Sequence, residues 1–482
     1  MLVLLVAFAA GVAIGVWTQV PLWCAIICII IFYLLSLRCG RVALLAAFVA
    51  AGVAAAESEY RHAAPPIGER LAMLLTIDDN PTDHGTWRQY SAKVAWYRAE
   101  GEEVWQRTDR RVLISTTSAV QLAAGERIAL VTKLRPLADS TNSYVRLMQA
   151  RGYVGRVSIY NPKSLIRVGE QRSLRRLAGQ LQRWGVARLE ASALEGDRLA
   201  LCAAIATGQR TAMSAQLREN YTLSGSSHLL AVSGLHVAII FIVANILFRW
   251  LTLFGRGTQL LNVAVVAVVW GYVAMTGLAI SAVRAALMFS ALQFAMTSGS
   301  SYRSANILAT VAMVMLAVRP SLILDVSFQL SVVAVAAIIY WSVPLCANLR
   351  TRNPILNLLT STVVIGVVCT LATAPLVAHW FGRVAMVGVV LNPLVVMLGY
   401  LLVALAVATI FAPTSWTWVA RAAGAIAEVE NRCVAVAAQL DWSHFTLRIE
   451  WWAVAIIYIV AIAITEIWRR KPRKKSLSLP YV

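Results

Sequence analysis

Apolar runs long enough to cross a membrane alternate with short charged loops along most of this chain, and one stretch near the N-terminus breaks the pattern. Residues 1–37 hold two such runs, MLVLLVAFAAGVAIGV and LWCAIICIIIFYLLSL, separated by the turn-like segment from Gln19 to Pro21. Both approach the ~20 residues that a helix needs to span a bilayer. A cleaved signal peptide is the alternative for the first run, but it lacks a charged start and a second run follows at once, so an anchor is expected. Arg38 and Arg41 precede the third run, VALLAAFVAAGVAAA. The positive-inside rule places that loop in the cytoplasm and everything after Ala56 on the outer face.

The three spans thus occupy 1–56. From 57 to 170 the pattern changes to period-two alternation in short segments such as WRQYSAKVAWYRA, RRVLISTTSAV and ERIALVTKLRP, broken by Gly, Asp and Asn. This predicts a small β-barrel or sandwich, and the length suits a five-stranded OB-type barrel. Residues 171–200 open with QRSLRRLAGQLQRWGVARLEASALE, in which Leu and Trp recur at helical spacing with Arg on the other faces; this predicts an amphipathic interfacial helix. Residues 201–468 return to apolar spans, expected at 228–248, 259–276, 281–298, 304–319, 325–347, 357–378, 384–411 and 451–468, and 469–482 form a basic tail. The expected fold class is therefore a polytopic α-helical membrane protein with an inserted OB-type extracytoplasmic domain. Its parity does not close: eight crossings from the outside return outside, while RRKPRKK demands a cytoplasmic end. Either one segment is re-entrant or 416–440 also crosses, and a broken segment at membrane depth is tolerated only beside protein or a water-filled cavity.

Composition confirms the membrane class, with 59% hydrophobic and 14% charged residues. The charge is lopsided, 43 Lys and Arg against 23 Asp and Glu, a formal +20. Two causes compete: cytoplasmic loops facing anionic lipid, and a polyanionic substrate. Cations on an outward domain separate them. There Arg107, Arg110, Arg111, Lys133, Arg135, Arg146, Arg151 and Arg156 are interleaved with Trp87, Trp96, Tyr97, Trp105, Tyr144 and Tyr153. Cations that track phosphates beside aromatics that stack bases suit single-stranded DNA, and a solvated basic face over an ordinary aromatic core, with no DNA role, stands beside that reading. The 7 cysteines are scattered through apolar stretches without a CxxC pair, so neither a zinc site nor a disulfide framework is read, and no cofactor is expected.

The most unusual string is SGSSHLLAVSGLHV, Ser224 to Val237. Polar groups opening an apolar run are expensive there and need a partner or a task. On a helix Ser233 and His236 share a face, and Gly234 admits a close neighbour. Helix capping, the lining of a polar passage and a Ser/His hydrolase all remain open, although AVSG lacks the first Gly of a GxSG pattern. Arg284 and Asp325 lie inside later apolar runs and should face the interior, and Asp325 and Gln329 stand at four-residue spacing.

SGSSHLLAVSGLHVAII resembles the signature of the ComEC family of natural transformation, G-x-x-H-L-L-A-[IV]-S-G-L-H. The resemblance continues through AIATGQR, TGLAISAVRAALM, DVSFQLSVVAV, ATAPLVAHWFG and LNPL, in the family's order, and upstream through the three spans and YVRLMQARGYVGRV. It implies a channel in the bacterial cytoplasmic membrane, with His228, Ser233, Gly234, His236, Arg284, Asp325 and Gln329 near the passage. It further implies an extracytoplasmic DNA receptor, membrane lipids around the bundle, and a cytoplasmic motor or single-strand-binding proteins, since no P-loop is present. Many members continue into a metallo-β-lactamase-like domain with an HxHxDH motif; this sequence has six His and no such cluster, so a separate nuclease is expected to degrade the other strand.

Overall fold

The computed structural model describes residues 1–470 except 19–21, 40, 61–63, 79–80, 84–86, 118–119, 138–144, 146–147, 149–151, 162–163, 171–173, 298–302 and 441–443. The three apolar runs form α1 (Leu2–Thr18), α2 (Leu22–Cys39) and α3 (Arg41–Tyr60). Lipid tails are as apolar as Leu, so such helices associate through close backbone approach at small residues. Gly11 and Gly52 provide it: a Cβ on Gly11 would lie 1.9 Å from the Val49 carbonyl oxygen, and one on Gly52 2.2 Å from that of Phe8.

The alternating region forms a mixed sheet of β1 (Arg70–Ile77), β2 (Thr82–Asp83), β3 (Trp87–Ala99), β4 (Gln106–Arg107), β5 (Arg111–Thr117), β6 (Glu126–Lys133), β7 (Tyr153–Ile159) and β8 (Leu165–Glu170). The main ladder runs β7-β5-β3-β1-β6-β8. Its β5–β7 pair is parallel and its other pairs antiparallel. Period two buries Leu71, Met73, Leu75 and Ile77 of β1 against Tyr90, Val94, Val112, Ile114 and Val157, which is the core that the alternation predicts. This ladder is open rather than closed into a barrel; an isolated antiparallel bridge, Arg135↔Arg156, joins the segment after β6 to β7.

The remainder is helical: α4 (Leu174–Glu190), α5 (Gly196–Thr207), α6 (Ala215–Leu223), α7 (Ser227–Leu230), α8 (Gly234–Phe248), α9 (Gly257–Met275), α10 (Ile280–Thr297), α11 (Ser304–Val318), α12 (Val326–Ala337), α13 (Val343–Asn348), α14 (Pro354–Phe381), α15 (Val387–Phe411), α16 (Thr417–Ala438) and α17 (Trp451–Arg470). Among the described residues six helical stretches are long and apolar enough to cross a membrane: Arg41–Ser58, Gly234–Leu253, Gly257–Met275, Val326–Asn348, Pro354–Phe381 and Val387–Phe411. Shorter apolar stretches lie in α1, α2, α10, α11 and α17. One core joins α5–α10 with α15 and α16, and a second joins α1 and α3 to α11 and α12.

Three departures from straight spans matter. The run expected at 228–248 is broken, with α7 ending at Leu230, Ala231 extended, and α8 starting only at Gly234. Between α12 and α13 lies a π-helical segment, Ile338–Ser342, at the point where Pro344 has no N–H to return to Tyr340. There Tyr340 donates to Glu466, and Trp341 to Thr465 at 2.9 Å, fastening the bulge to α17. Finally, β9 (Arg383–Ala385), just before α15, pairs with β10 (His444–Thr446), just after α16. The α15–α16 hairpin therefore returns to the place it left.

Candidate functional site

The broken signature begins with local hydrogen bonding. Ser233 has extended backbone and caps α8. His236, at the third helical position, accepts the Ser233 backbone N–H at Nδ1, 2.8 Å away, the part Glu or Gln plays in a capping box. Accepting there fixes the ring proton on Nε2, which is buried without a partner. Ser233 Oγ also lies 3.3 Å from Nδ1, but that single lone pair is already engaged by the backbone, so the pair is arranged as a cap rather than as nucleophile and base. His228 is exposed, its Nδ1 donating to the Gly225 carbonyl at 3.3 Å.

Gly234 lets α8 meet α10: a Cβ there would lie 3.7 Å from that of Ala285. The same approach is held by Ser281 Oγ, which donates to the Val232 carbonyl. The turn from α9 into α10 puts Gly277 and then Leu278 in the left-handed region, at φ 72° and 56°. For Leu this costs roughly 1–2 kcal/mol, so the surrounding structure must hold it.

One turn into α10, Arg284 is 1% exposed. Its Nε donates to Ser331 Oγ at 2.9 Å and one terminal nitrogen to the Ser327 carbonyl at 3.3 Å, both on the first turns of α12. Its guanidinium sits 5.6 Å from the Phe328 ring, and Nη1 has no hydrogen-bond partner. Asp325 interacts with it electrostatically, yet that carboxylate is also the N-cap of α12, accepting the Phe328 N–H at 3.0 Å. Gln329 lies one turn after Asp325, its N–H on the Asp325 carbonyl at 3.0 Å, while its side-chain amide donates to the Ile323 carbonyl and accepts from Trp380 Nε1, tying α12 to α14. Contacts of α10 with both neighbours thus bring the N-termini of α8, α10 and α12 to one level. The same first turns enclose a buried cation, Arg284, whose Nη1 has no hydrogen-bond partner. The sequence pointed to all seven of these residues, but not to Ser281, Ser327, Ser331 and Trp380. Ser327 and Ser331 stand four apart in DVSFQLS, the only signal that would have paired them with a buried donor.

In the sheet domain Arg107, Lys133, Arg135 and Arg156 are exposed. Arg135 and Arg156 face each other across the isolated bridge. Arg111 is bound to Asp78 at 3.2 Å, and Asp78 also holds Arg175 of α4. Arg110 is half-buried. Arg146, Arg151 and Tyr144 lie outside the described residues. Of the aromatics, Trp87, Trp96 and Trp105 are exposed, Tyr153 bonds Ser91, and Tyr97 is buried with its hydroxyl on Gln106, burial and Glu102 raising its pKa. Trp96 pairs across the ladder with Arg107, and Arg98 stacks 5.2 Å from the Trp105 ring, so two tryptophans and two arginines share one outer end of β3 and β4. Among the described residues no group of three or more metal-ligating side chains occurs.

An apolar bundle with six helical stretches long and apolar enough to cross a membrane, and with buried polar groups where helices start, defines a polytopic membrane protein. Residues 205–471, more than half of the chain, match the family described as competence protein, and the chain belongs to that family, the ComEC-type competence proteins. No curated protein and no solved structure matches it.

Proposed function

We propose that this protein conducts single-stranded DNA across the bacterial cytoplasmic membrane during natural transformation. The observation that carries the reading is Arg284: a fully buried guanidinium retains an unpartnered N–H where three helix N-termini meet. An anionic backbone is the chemistry that such an arrangement favours. His228, Ser233, Gly234, His236, Asp325 and Gln329 frame this passage, which moves its cargo without covalent chemistry.

The outward domain gathers the strand. In our reading it is OB-type, its open ladder drawn together at the Arg135↔Arg156 bridge, a view supported by the parallel β5–β7 pair and the antiparallel β3–β1–β6 order. Arg107, Lys133, Arg135 and Arg156 follow phosphates, joined by Arg110, Arg111, Arg146 and Arg151. The returning α15–α16 hairpin supports a sidedness in which six crossings after the domain lead outside, the hairpin returns there, and α17 carries the basic tail into the cytoplasm. A DNA receptor outside, a motor or strand-capturing proteins inside, and a separate nuclease complete the system.

The test is natural transformation in a deletion strain complemented with the intact gene or with Arg284→Ala, scoring labelled DNA at the surface and in the cytoplasm separately. Deletion is expected to leave surface DNA bound and to abolish entry, with Arg284→Ala in the same state although the protein reaches the membrane. Normal entry in the deletion strain overturns the reading.

A further inference from the structure

Glu430 is the one acidic side chain in the helical core with no exposure among the described residues, and nothing in the proposed passage uses it. It lies on α16, where Oε1 is 3.2 Å from the Tyr221 hydroxyl of α6, while Oε2 is buried without a partner. The same hydroxyl lies 3.1 Å from Asn431 Oδ1. A phenol has one proton, so it cannot donate to two acceptors at once. The arrangement is satisfied when the carboxyl group itself carries a proton: Glu430 donates to Tyr221, and Tyr221 donates to Asn431.

The surroundings favour that neutral form. The titratable groups in electrostatic contact with Glu430 are Tyr221 of α6 and Cys202 of α5, and Cys433 of α16 interacts with the same Tyr221; none of them is a cation. The other charged residues on these helices are placed elsewhere: Arg198 of α5 lies beside Gly424, six residues before Glu430, Arg218 of α6 donates to the Arg210 carbonyl, Arg432 and Glu428 of α16 pair with each other at 2.8 Å, and Asp197, Glu219 and Arg421 are exposed. The third packed helix, α15, has Tyr400 as its titratable residue. An ionised carboxylate with one oxygen unpartnered in such a core is strongly disfavoured.

Tyr221 also faces the signature. Its carbonyl accepts the Ser226 N–H at 2.9 Å and the hydroxyls of Ser227 and Ser224 at 3.2 and 3.3 Å. One residue thus joins the buried acid to the turn that carries His228 and Ser233.

We infer that Glu430 is a proton-binding site and that Tyr221 transmits its occupancy to the signature turn. With the proton bound, the α16–α6 clamp is closed and the turn is held; when the proton leaves to water, the carboxylate draws water or moves away, and the turn is released. That this turn borders the DNA passage rests on the reading above; the proton site itself does not.

The purified full-length protein in detergent tests the two parts separately. Infrared difference spectra across a pH titration should contain a protonated carboxylic-acid band that Glu430→Gln removes. Hydrogen exchange of the segment 222–230, compared between wild type and Glu430→Gln at each pH to cancel intrinsic chemistry, should rise in the wild type with pH, by at most about tenfold per pH unit for one proton. In Glu430→Gln the segment should stay protected, and in Tyr221→Phe it should exchange quickly at every pH. A band unchanged in Glu430→Gln, or equal exchange of the two proteins at all pH values, overturns the inference. If both signals behave as stated while DNA entry proves independent of this protein, the proton site stands and the transport reading falls.

Discussion

A guanidinium is an expensive fastener for two membrane helices. An ionised group at mid-bilayer costs at least ~2.5 kcal/mol unless paired or wetted, and replacing a buried charge by an apolar side chain of similar size is often neutral or stabilising. Arg284 spends two donors on Ser331 and the Ser327 carbonyl and leaves Nη1 without a partner. Arg284→Met is therefore expected to reach the membrane with a thermal midpoint at or above the wild-type value and to lose DNA entry; a fall in the midpoint together with retained entry would mark the arginine as structural. Ser233 gives a second expectation at this scale. Because His236 Nδ1 is taken by the Ser233 N–H, a fluorophosphonate probe should leave Ser233 unmodified, as mass spectrometry of the treated protein would read. Both residues stood out in the sequence, being polar within apolar runs. Their partners did not, because Ser327 and Ser331 are unremarkable in a membrane helix until an arginine from another helix reaches them. Glu430 was hidden for the opposite reason: in an amphipathic segment that also contains Arg421, Glu428 and Arg432, one more acid reads as part of a solvated face.

Apolar runs gave the helices their places, but not the way each one ends. α8 starts at Gly234 because Ser233 and His236 form a cap, whereas hydropathy alone extends the run back to His228. α12 starts at Val326 because Asp325 caps it, so the Asp325 carboxylate is spent on the Phe328 N–H rather than on Gln329 one turn later. Hydropathy measures transfer from water and is blind to a cap, which trades a few hydrogen bonds within one turn. The crossing parity was open in the sequence for a related reason: α16 carries too much charge to resemble a span, and only the β9–β10 pairing shows that α15 and α16 leave and return together. That pairing predicts sidedness. In a cysteine-free background, Met386→Cys and Leu440→Cys, both at exposed positions, should react with an impermeant thiol reagent from the same side of the membrane. A cysteine placed in the basic tail should react from the opposite side. Labelling of the first two from opposite sides would mean that the hairpin does not close.

For the molecule as a whole, the open question of the sequence was the source of the +20 charge. Period two marked the sheet domain and its buried face, since burial along a strand needs no knowledge of its neighbours. Which cations are available was not legible, because ion pairs such as Arg111–Asp78 join β5 to the end of β1, and exposure depends on which strands meet. Of the cations described there, Arg107, Lys133, Arg135 and Arg156 are exposed, and Trp96 and Trp105 share an outer end with Arg98 and Arg107. Two kinds of contribution should then separate in binding of the full-length protein to a fluorescent single strand. Exchanging Lys133, Arg135 and Arg156 together for Gln removes phosphate contacts, each of which contributes about −0.7 to the slope of log affinity against log salt; the slope should flatten by roughly 2 while the dependence on base composition stays. Trp96→Ala and Trp105→Ala remove stacking surfaces worth roughly 1–3 kcal/mol per base, so affinity should fall about tenfold or more at every salt concentration with the slope unchanged. Should neither set of substitutions alter binding, the cations of the sheet domain are a solvated face, and the charge excess belongs to the cytoplasmic loops and to lipid headgroups.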